Sequence, residues 1–283
     1  MPFATRADGA KLWYEITGKG DPLVLIGGFA LIHDQFEFCN DILRKAGFKT
    51  VHWNQEGAGR SDWTMAKPYT VDGWADDLKC VLDHAGLKKV YIWSTSTGTS
   101  IGIRFAAKYP QYMAALITYP WFKTDLTWKR IFDAAYGVAD VFGIDTLAKV
   151  FATVVLPESI RYTSEHIKYE KWSQPNYKRN VNMTTLRNVL DALSNLDLTG
   201  DVKRLKCPTL LLMGNDSALN KDESMKSSSY EYLIGEFRAL KPDTDVGTVQ
   251  GAGSTYCMIT RPKDTSQILI DWVKKLKSSK KRK

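Results

Sequence analysis

The fold is indicated by one stretch in the first half of the chain, Val90-Tyr91-Ile92-Trp93-Ser94-Thr95-Ser96-Thr97-Gly98-Thr99. Its β-branched and aromatic start is typical of a strand, and the next residues, Ser100 to Ala107, have helical spacing. A sharp turn between a strand and a helix needs small residues two positions before and two positions after its central serine, because the two backbones come close there. Ser94 and Gly98 meet that need. The stretch therefore predicts a strand–turn–helix unit that exposes Ser96 as a nucleophile.

A second buried strand is predicted upstream, in the apolar run Pro22-Leu23-Val24-Leu25-Ile26. Continuous apolar runs of this length are typical of strands that are buried on both faces of a parallel sheet. Together with the unit around Ser96, this run resembles the α/β-hydrolases, in which the loop after such a strand supplies one amide of an oxyanion hole and the residue after the nucleophile supplies the other. Phe29 and Thr97 are therefore the predicted oxyanion donors, with Gly28 beside them in the binding site.

Two further motifs follow in order along the chain. Residues 54–62, Asn-Gln-Glu-Gly-Ala-Gly-Arg-Ser-Asp, resemble the D-x-R-G-x-G-x-S-D loop of α/β-hydrolases, with Asn54 and Glu56 in place of Asp and Arg. Residues 207–217 are typical of the strand whose following loop carries the acid of a catalytic triad. The usual G-x-x-D spacing falls on Ser217, so Asp216 is one residue out of register. Asp216 is the acid candidate, and a plain loop aspartate is the alternative.

These four motifs together resemble the α/β-hydrolase superfamily, and the resemblance extends from about Phe3 to Leu276. It implies an α/β fold with a doubly wound, mostly parallel sheet and an inserted helical cap. An antiparallel hairpin is predicted at the start, where Asp8-Gly9 forms a turn between Phe3–Arg6 and Lys11–Thr17.

The predicted domain organisation is a hydrolase core that is interrupted by a cap. Helix-period patterns replace the sheet-like run that ends at Tyr119, and they continue up to the strand that starts at Cys207. The aromatic side chains of this segment predict a hydrophobic pocket beneath the cap. The boundaries are core at 1–119 and 207–276, helical cap at 120–206, and a basic disordered tail at 277–283.

The catalytic base departs from the superfamily pattern. An ordinary member has the order Ser, acid, His, with the histidine in a G-x-G-H loop before the last helix. Here residues 251–254 read Gly-Ala-Gly-Ser, and Ser254 cannot accept a proton near neutral pH. His33, which Asp34 could orient, is the candidate for a relocated base. The other histidines have ordinary structural explanations: a strand position for His52, a helix end for His84 and a solvated helix face for His166.

Loss of the base argues against a serine hydrolase of ordinary efficiency, because removing a triad member costs on the order of 10⁴ to 10⁶ in rate. Three classes of function remain. The first is a pseudo-hydrolase that binds a small apolar ligand or a protein partner. The second is an enzyme, either a slow esterase with a relocated base or a lyase or cyclase that uses the same pocket. The third is a structural subunit of a larger assembly.

A second resemblance covers about Leu156 to Leu276. Residues 156–160, Leu-Pro-Glu-Ser-Ile, residues 205–208, Leu-Lys-Cys-Pro, and the histidine-free loop 251–260 are similar to the NDR (N-myc downstream-regulated) family. That resemblance implies an α/β-hydrolase fold whose catalytic residues are replaced, and a pseudo-enzyme role in signalling or trafficking.

Composition limits the partners and cofactors. Seven basic residues lie between Lys274 and Lys283 while the net charge is +8, so the remainder of the chain is nearly neutral. No specific nucleic-acid binding is predicted, although the basic tail could contact acidic surfaces or act as a nuclear-import signal. The four cysteines have neither metal-ligand spacing nor the density of a disulfide framework. We predict no cofactor, no metal, no membrane span and an intracellular location.

Overall fold

The apolar runs of the sequence form one sheet in the computed structural model, which describes residues 2–64, 68–216 and 229–280. Within these residues the sheet has eight strands, in the order β1-β2-β4-β3-β5-β6-β7-β8. The strands are β1 (Phe3–Thr5), β2 (Lys11–Thr17), β3 (Asp21–Ile26), β4 (Phe48–Trp53), β5 (Val90–Ser94), β6 (Met113–Thr118), β7 (Thr209–Gly214) and β8 (Asp245–Val249).

The sheet is mostly parallel. Only the pairs β1–β2 and β2–β4 are antiparallel, whereas β3, β4, β5, β6, β7 and β8 pair in parallel. The two predicted buried strands, now β3 and β5, are neighbours, with Leu23 opposite Tyr91 and Ile26 opposite Ser94. The predicted fold class, a doubly wound and mostly parallel sheet, is confirmed.

Helices lie between the strands, and three short 3-10 helices accompany them at Ile32–Cys39, Pro110–Tyr112 and Glu158–Ile160. The α-helices that connect successive parallel strands form the usual βα crossovers. The α-helices of the described residues are α1 (Asn40–Lys45), α2 (Val71–His84), α3 (Gly98–Lys108), α4 (Leu126–Phe142), α5 (Ile144–Val155), α6 (Ser164–Asn180), α7 (Met183–Ser194), α8 (Thr199–Arg204), α9 (Tyr230–Leu240), α10 (Cys257–Thr260) and α11 (Pro262–Lys280).

The segment predicted as a cap, residues 120–206, contains helices α4 to α8. Asp125 caps the start of α4 by accepting a hydrogen bond from the Trp128 amide at 2.9 Å. Asn182 and Thr185 form a reciprocal capping box at the start of α7. These caps fix where α4 and α7 begin, and the start of α4 places the aromatic residues Trp128 and Phe132. Whether the segment is a separate unit from the core remains a prediction.

The C-terminal helix α11 continues to Lys280, so part of the segment predicted as a disordered tail is helical. Lys277 pairs with Asp21 at the start of β3. Residues 281–283 lie outside the described residues, and the predicted contacts of the basic tail stay a prediction. Among the described helices, none combines the length and the apolar character that crossing a membrane requires.

Candidate active site

Ser96 occupies the turn between β5 and α3 in a left-handed conformation, with φ of 52°. This conformation costs a non-glycine residue on the order of 1–3 kcal/mol, so the surrounding structure must impose it. Gly98 shows how. A Cβ atom on Gly98 would lie 2.2 Å from the Gly27 carbonyl oxygen and 2.7 Å from that of Ile26, so only glycine fits. The close approach of strand β3 to the turn therefore holds Ser96 in its strained position.

We expect Gly98→Ala to lower the free energy of unfolding by about 1–3 kcal/mol, because the added methyl group meets backbone atoms that no rotamer change can relieve. The matched control is Gly137→Ala in α4, where nothing lies within 4 Å of the added atom. The control should be neutral or stabilise by up to about 1 kcal/mol, since alanine favours helix. Urea denaturation measures both values. Equal stabilities of the two variants would contradict the close approach described at the turn.

Ser96 opens into a cavity, called here the Ser96 cavity, at the carboxyl ends of the parallel strands. Loop residues after β3 and β5 form one side, and helices α4, α5 and α6 contribute aromatic side chains to the other. Ser254 and its two successors complete the wall. The lining residues are Gly28, Phe29, Ala30, Leu31, Gln35, Ser96, Thr97, Tyr119, Trp121, Trp128, Ile131, Phe132, Phe151, Tyr177, Ser254, Thr255 and Tyr256.

A fully buried glutamine, Gln35, connects the two loops that flank Ser96. Its Oε1 atom accepts a hydrogen bond from the Gly28 amide at 2.7 Å. Its Nε2 atom donates to the Thr255 carbonyl oxygen, also at 2.7 Å. The Gly28 amide is thus occupied. In the described parts of the chain the amides of Phe29 and Thr97 donate to no protein acceptor, so these two remain available to a ligand oxygen.

Ser254 lies in the same cavity as Ser96 and is only 2% exposed. The loop that carries it is fixed against the end of β7, because the Gly214 amide donates to the Ser254 carbonyl oxygen at 3.0 Å. The Asp216 amide donates to the Ala252 carbonyl oxygen at 2.9 Å. Asp216 itself is half-buried and is not among the residues that line the cavity. Ser217, where the usual spacing would place the acid, lies outside the described residues.

Comparison with known proteins agrees with this architecture. A family model described as alpha/beta hydrolase fold matches residues 21–147. The carboxylesterase structure from the thaumarchaeon Nitrososphaera gargenis superposes with a TM-score of 0.81 at 20% identity, covering 98% of this chain and 100% of that one. The chain has the α/β-hydrolase fold. The solved structures, at 20% identity, show the fold, and the family model matches the part of the chain that contains the turn at Ser96.

Two further proteins show the range of activities named among similar α/β-hydrolase chains. A protein of Pantoea ananatis named as a carbamate hydrolase, RutD, is 23% identical over 232 residues, which cover 81% of this chain and 80% of that protein. A bromoperoxidase structure from Bacillus anthracis has a TM-score of 0.80 at 20% identity, covering 96% of this chain and 99% of that one. At these identities the structures establish the fold alone.

All four histidines of this α/β-hydrolase-fold chain lie within the described residues, and none lines the Ser96 cavity. His33 is the candidate base. Its Nδ1 atom lies 2.8 Å from the side-chain nitrogen Nδ2 of Asn54, and its Nε2 atom lies 3.6 Å from Asp34 Oδ1. Burial lowers the pKa of His33 to about 4. His166 was expected on a solvated face but is 2% exposed, and its Nδ1 atom accepts a hydrogen bond from the Tyr162 amide.

Three tyrosines of the cavity wall keep their protons at physiological pH. Burial raises the pKa of Tyr256 to about 12, and it raises the pKa of Tyr119 and Tyr177 still further. Ser254 lies near enough to the Tyr119 hydroxyl to oppose that rise, although the two oxygens do not form a hydrogen bond of normal geometry. These phenols can donate a proton in a hydrogen bond, but they cannot act as bases.

The two departures in the loop after β4 have structural partners away from the cavity. Asn54 Oδ1 accepts a hydrogen bond from the Arg60 amide at 3.0 Å and so shapes the loop. Glu56, which replaces the usual arginine, pairs with Arg6 at 2.7 Å, and Arg6 also pairs with Asp77 at 2.8 Å. The charge reversal at Glu56 is thus matched by a cation from the N-terminal hairpin. None of these five residues lines the Ser96 cavity.

Proposed function

We propose that this chain binds a small apolar ligand in the Ser96 cavity and does not hydrolyse it by a serine–histidine mechanism. The observation that carries the proposal is the content of the cavity wall. Ser254 lies there together with Ser96, whereas all four histidines lie elsewhere in the described chain. Ser254, Ser96 and the amides of Phe29 and Thr97 are proposed as binding groups.

Chemistry supports binding over hydrolysis. A serine hydroxyl without a bonded base stays neutral and is a poor nucleophile. Removing the base from a working triad costs on the order of 10⁴ to 10⁶ in rate, and what remains comes mainly from the oxyanion hole and from binding. The strained turn and two available amides persist here, so a ligand carbonyl oxygen could still be held beside Ser96. The resemblance of residues 156–276 to the NDR family stays a prediction that is compatible with this proposal.

Hydrolysis is the rival function, and one observation favours it: the strained turn at Ser96 is intact, with φ of 52°. A protein named as a carbamate hydrolase is similar in sequence, and a carboxylesterase structure has the same fold. To hydrolyse an ester, this site would need a base from outside the described lining. Alternatively, it could catalyse a lyase or cyclase reaction that depends on the oxyanion hole and not on a triad. Asp216 and His33 could serve it only after moving into the cavity.

We expect p-nitrophenyl butyrate to be hydrolysed by the wild-type chain at a rate within about threefold of Ser96→Ala, since both lack an activated nucleophile. Fluorophosphonate labelling of Ser96 should be correspondingly slow. His33→Ala serves as a second comparison. Rapid turnover that Ser96→Ala abolishes would overturn the proposal, and its additional loss in His33→Ala would identify a relocated base. A protein-partner or subunit role would leave the wild-type chain and both variants inactive and without a ligand.

A further inference from the structure

The wall of the Ser96 cavity carries no ionised group among the residues that the structure describes. Its members are aliphatic, aromatic, amide or hydroxyl side chains, together with glycines. The raised pKa values of its tyrosines keep them neutral through the physiological range. A carboxylate or ammonium group that enters such a site loses its hydration without gaining a counter-ion. The cavity therefore selects against charged ligands.

Two aromatic clusters shape the cavity. In one, the Trp121 and Trp128 ring centroids are 5.8 Å apart, and Phe132 lies about 6 Å from both. In the other, Phe29 meets Phe151 at 5.7 Å and Tyr177 at 6.0 Å, both edge to face. Ring faces and edges exposed to a cavity favour a ligand that is itself a ring, because offset and edge-to-face pairs stabilise beyond their buried area.

The Ser254 and Tyr256 hydroxyls on the wall have no hydrogen-bond partner within the described residues, and a hydroxyl can both donate and accept. Groups that can only donate, and that lack an acceptor, occur at two further places on the wall. The first consists of the Phe29 and Thr97 amides beside Ser96. The second consists of the Trp121 and Trp128 indole nitrogens, which are buried and have no partner within the described residues. An indole N–H can only donate, and a buried donor without an acceptor is costly. Trp121 as a whole is 3% exposed, so its indole N–H is shielded from bulk water.

We infer that the ligand of the Ser96 cavity is an uncharged ring compound with hydrogen-bond acceptors at two separate positions, of the class of alkoxy-substituted aromatic ketones, esters or lactones. The inference rests on the proposed binding function. One acceptor, a carbonyl oxygen, meets the Phe29 and Thr97 amides. The other, an ether or second carbonyl oxygen, meets the Trp121 and Trp128 indoles under the cap segment. No bond is made or broken in this binding.

Three naphthalene probes of similar size test the ligand class on the full-length chain. They are 6-methoxy-2-acetylnaphthalene, which has two acceptors, 6-methoxy-2-naphthoate, which is charged, and 2-ethyl-6-methylnaphthalene, which has none. Isothermal titration should give the two-acceptor probe an affinity about tenfold or more above each of the other two, since about 1.4 kcal/mol corresponds to tenfold. Equal or tighter binding of the naphthoate or the hydrocarbon would overturn the inference but leave the binding function standing.

The second arm removes one donor and keeps its ring. Trp121→Phe should weaken the two-acceptor probe by about three- to tenfold, in line with the loss of one hydrogen bond, and leave the hydrocarbon unchanged. Trp128→Phe repeats the test if Trp121→Phe does not fold. The control is Trp272→Phe on α11. In the wild-type chain the Trp272 indole N–H donates a hydrogen bond to Asp245 at 2.7 Å. Uniform weakening of all three probes would overturn the inference. If no probe saturates the wild-type chain, the proposed function itself fails.

Discussion

Ester hydrolysis is expected to rise by about ten- to a hundredfold when Ser254 is replaced by histidine. This gain is at or below the lower end of the 10²- to 10⁴-fold acceleration that a well-placed general base contributes. Ser254 lines the cavity that Ser96 opens into, and its loop is fixed to the end of β7 through the Gly214 amide. An imidazole introduced there shares the cavity with the hydroxyl that it must deprotonate. The gain stays partial because Asp216 does not line the cavity, so no described carboxylate orients the ring.

The measurement is p-nitrophenyl butyrate hydrolysis against pH in Ser254→His, with Ser254→Asn as the control for added bulk at a 2% exposed position. The neutral imidazole is the base, so activity should be lost as pH falls through its pKa, about 6.5 when unperturbed, and be full above it. The double variant that combines Ser254→His with Ser96→Ala should have the rate of the wild-type chain. Activity that survives Ser96→Ala, or a gain that Ser254→Asn reproduces, would show that the introduced imidazole does not act on Ser96.

Local rules made much of the fold predictable from the sequence. The parallel pairing of β3 with β5 follows from apolar runs that suit only a strand buried on both faces. The turn at Ser96 follows from sterics, because Gly98 has backbone oxygens where a Cβ atom would be. The position of Ser254 follows from the order of the motifs and the helix after it. The first two signals lie within a few neighbouring residues, whereas the third depends on the order of motifs along the chain.

The remainder depended on contacts between distant parts of the chain. Gln35 lies in a stretch of mixed polar and apolar residues, Ile32–Cys39, and no local pattern shows that its partners are 7 and 220 positions away. Asp34 is the sequence neighbour that could orient His33, but the closer partner of the ring is Asn54, which follows a different strand, β4. His166 has polar neighbours in sequence, yet it packs inward beneath Tyr162. Sequence spacing does not encode such pairings.

The connection that Gln35 makes is the one whose removal we expect to cost most in stability. Gln35→Met keeps a similar volume, so it leaves no large cavity, but it leaves the Gly28 amide and the Thr255 carbonyl oxygen buried without their partner. Each unsatisfied buried group costs about 1–3 kcal/mol. We therefore expect the free energy of unfolding to fall by roughly 2–4 kcal/mol in urea denaturation.

The matched control is Gln267→Met, because Gln267 is exposed and its amide reaches Asp271 on the same helix at 2.8 Å. That variant should stay within about 0.5 kcal/mol of wild type. Hydrogen exchange locates the effect: in Gln35→Met the Gly28 amide should exchange faster than in wild type, while amides in β5 follow the global stability. If Gln35→Met were as stable as Gln267→Met, the two loops would have to be held by other contacts. The Phe29 amide would then no longer be positioned through Gln35, and the binding groups around Ser96 would owe their arrangement to the strained turn alone.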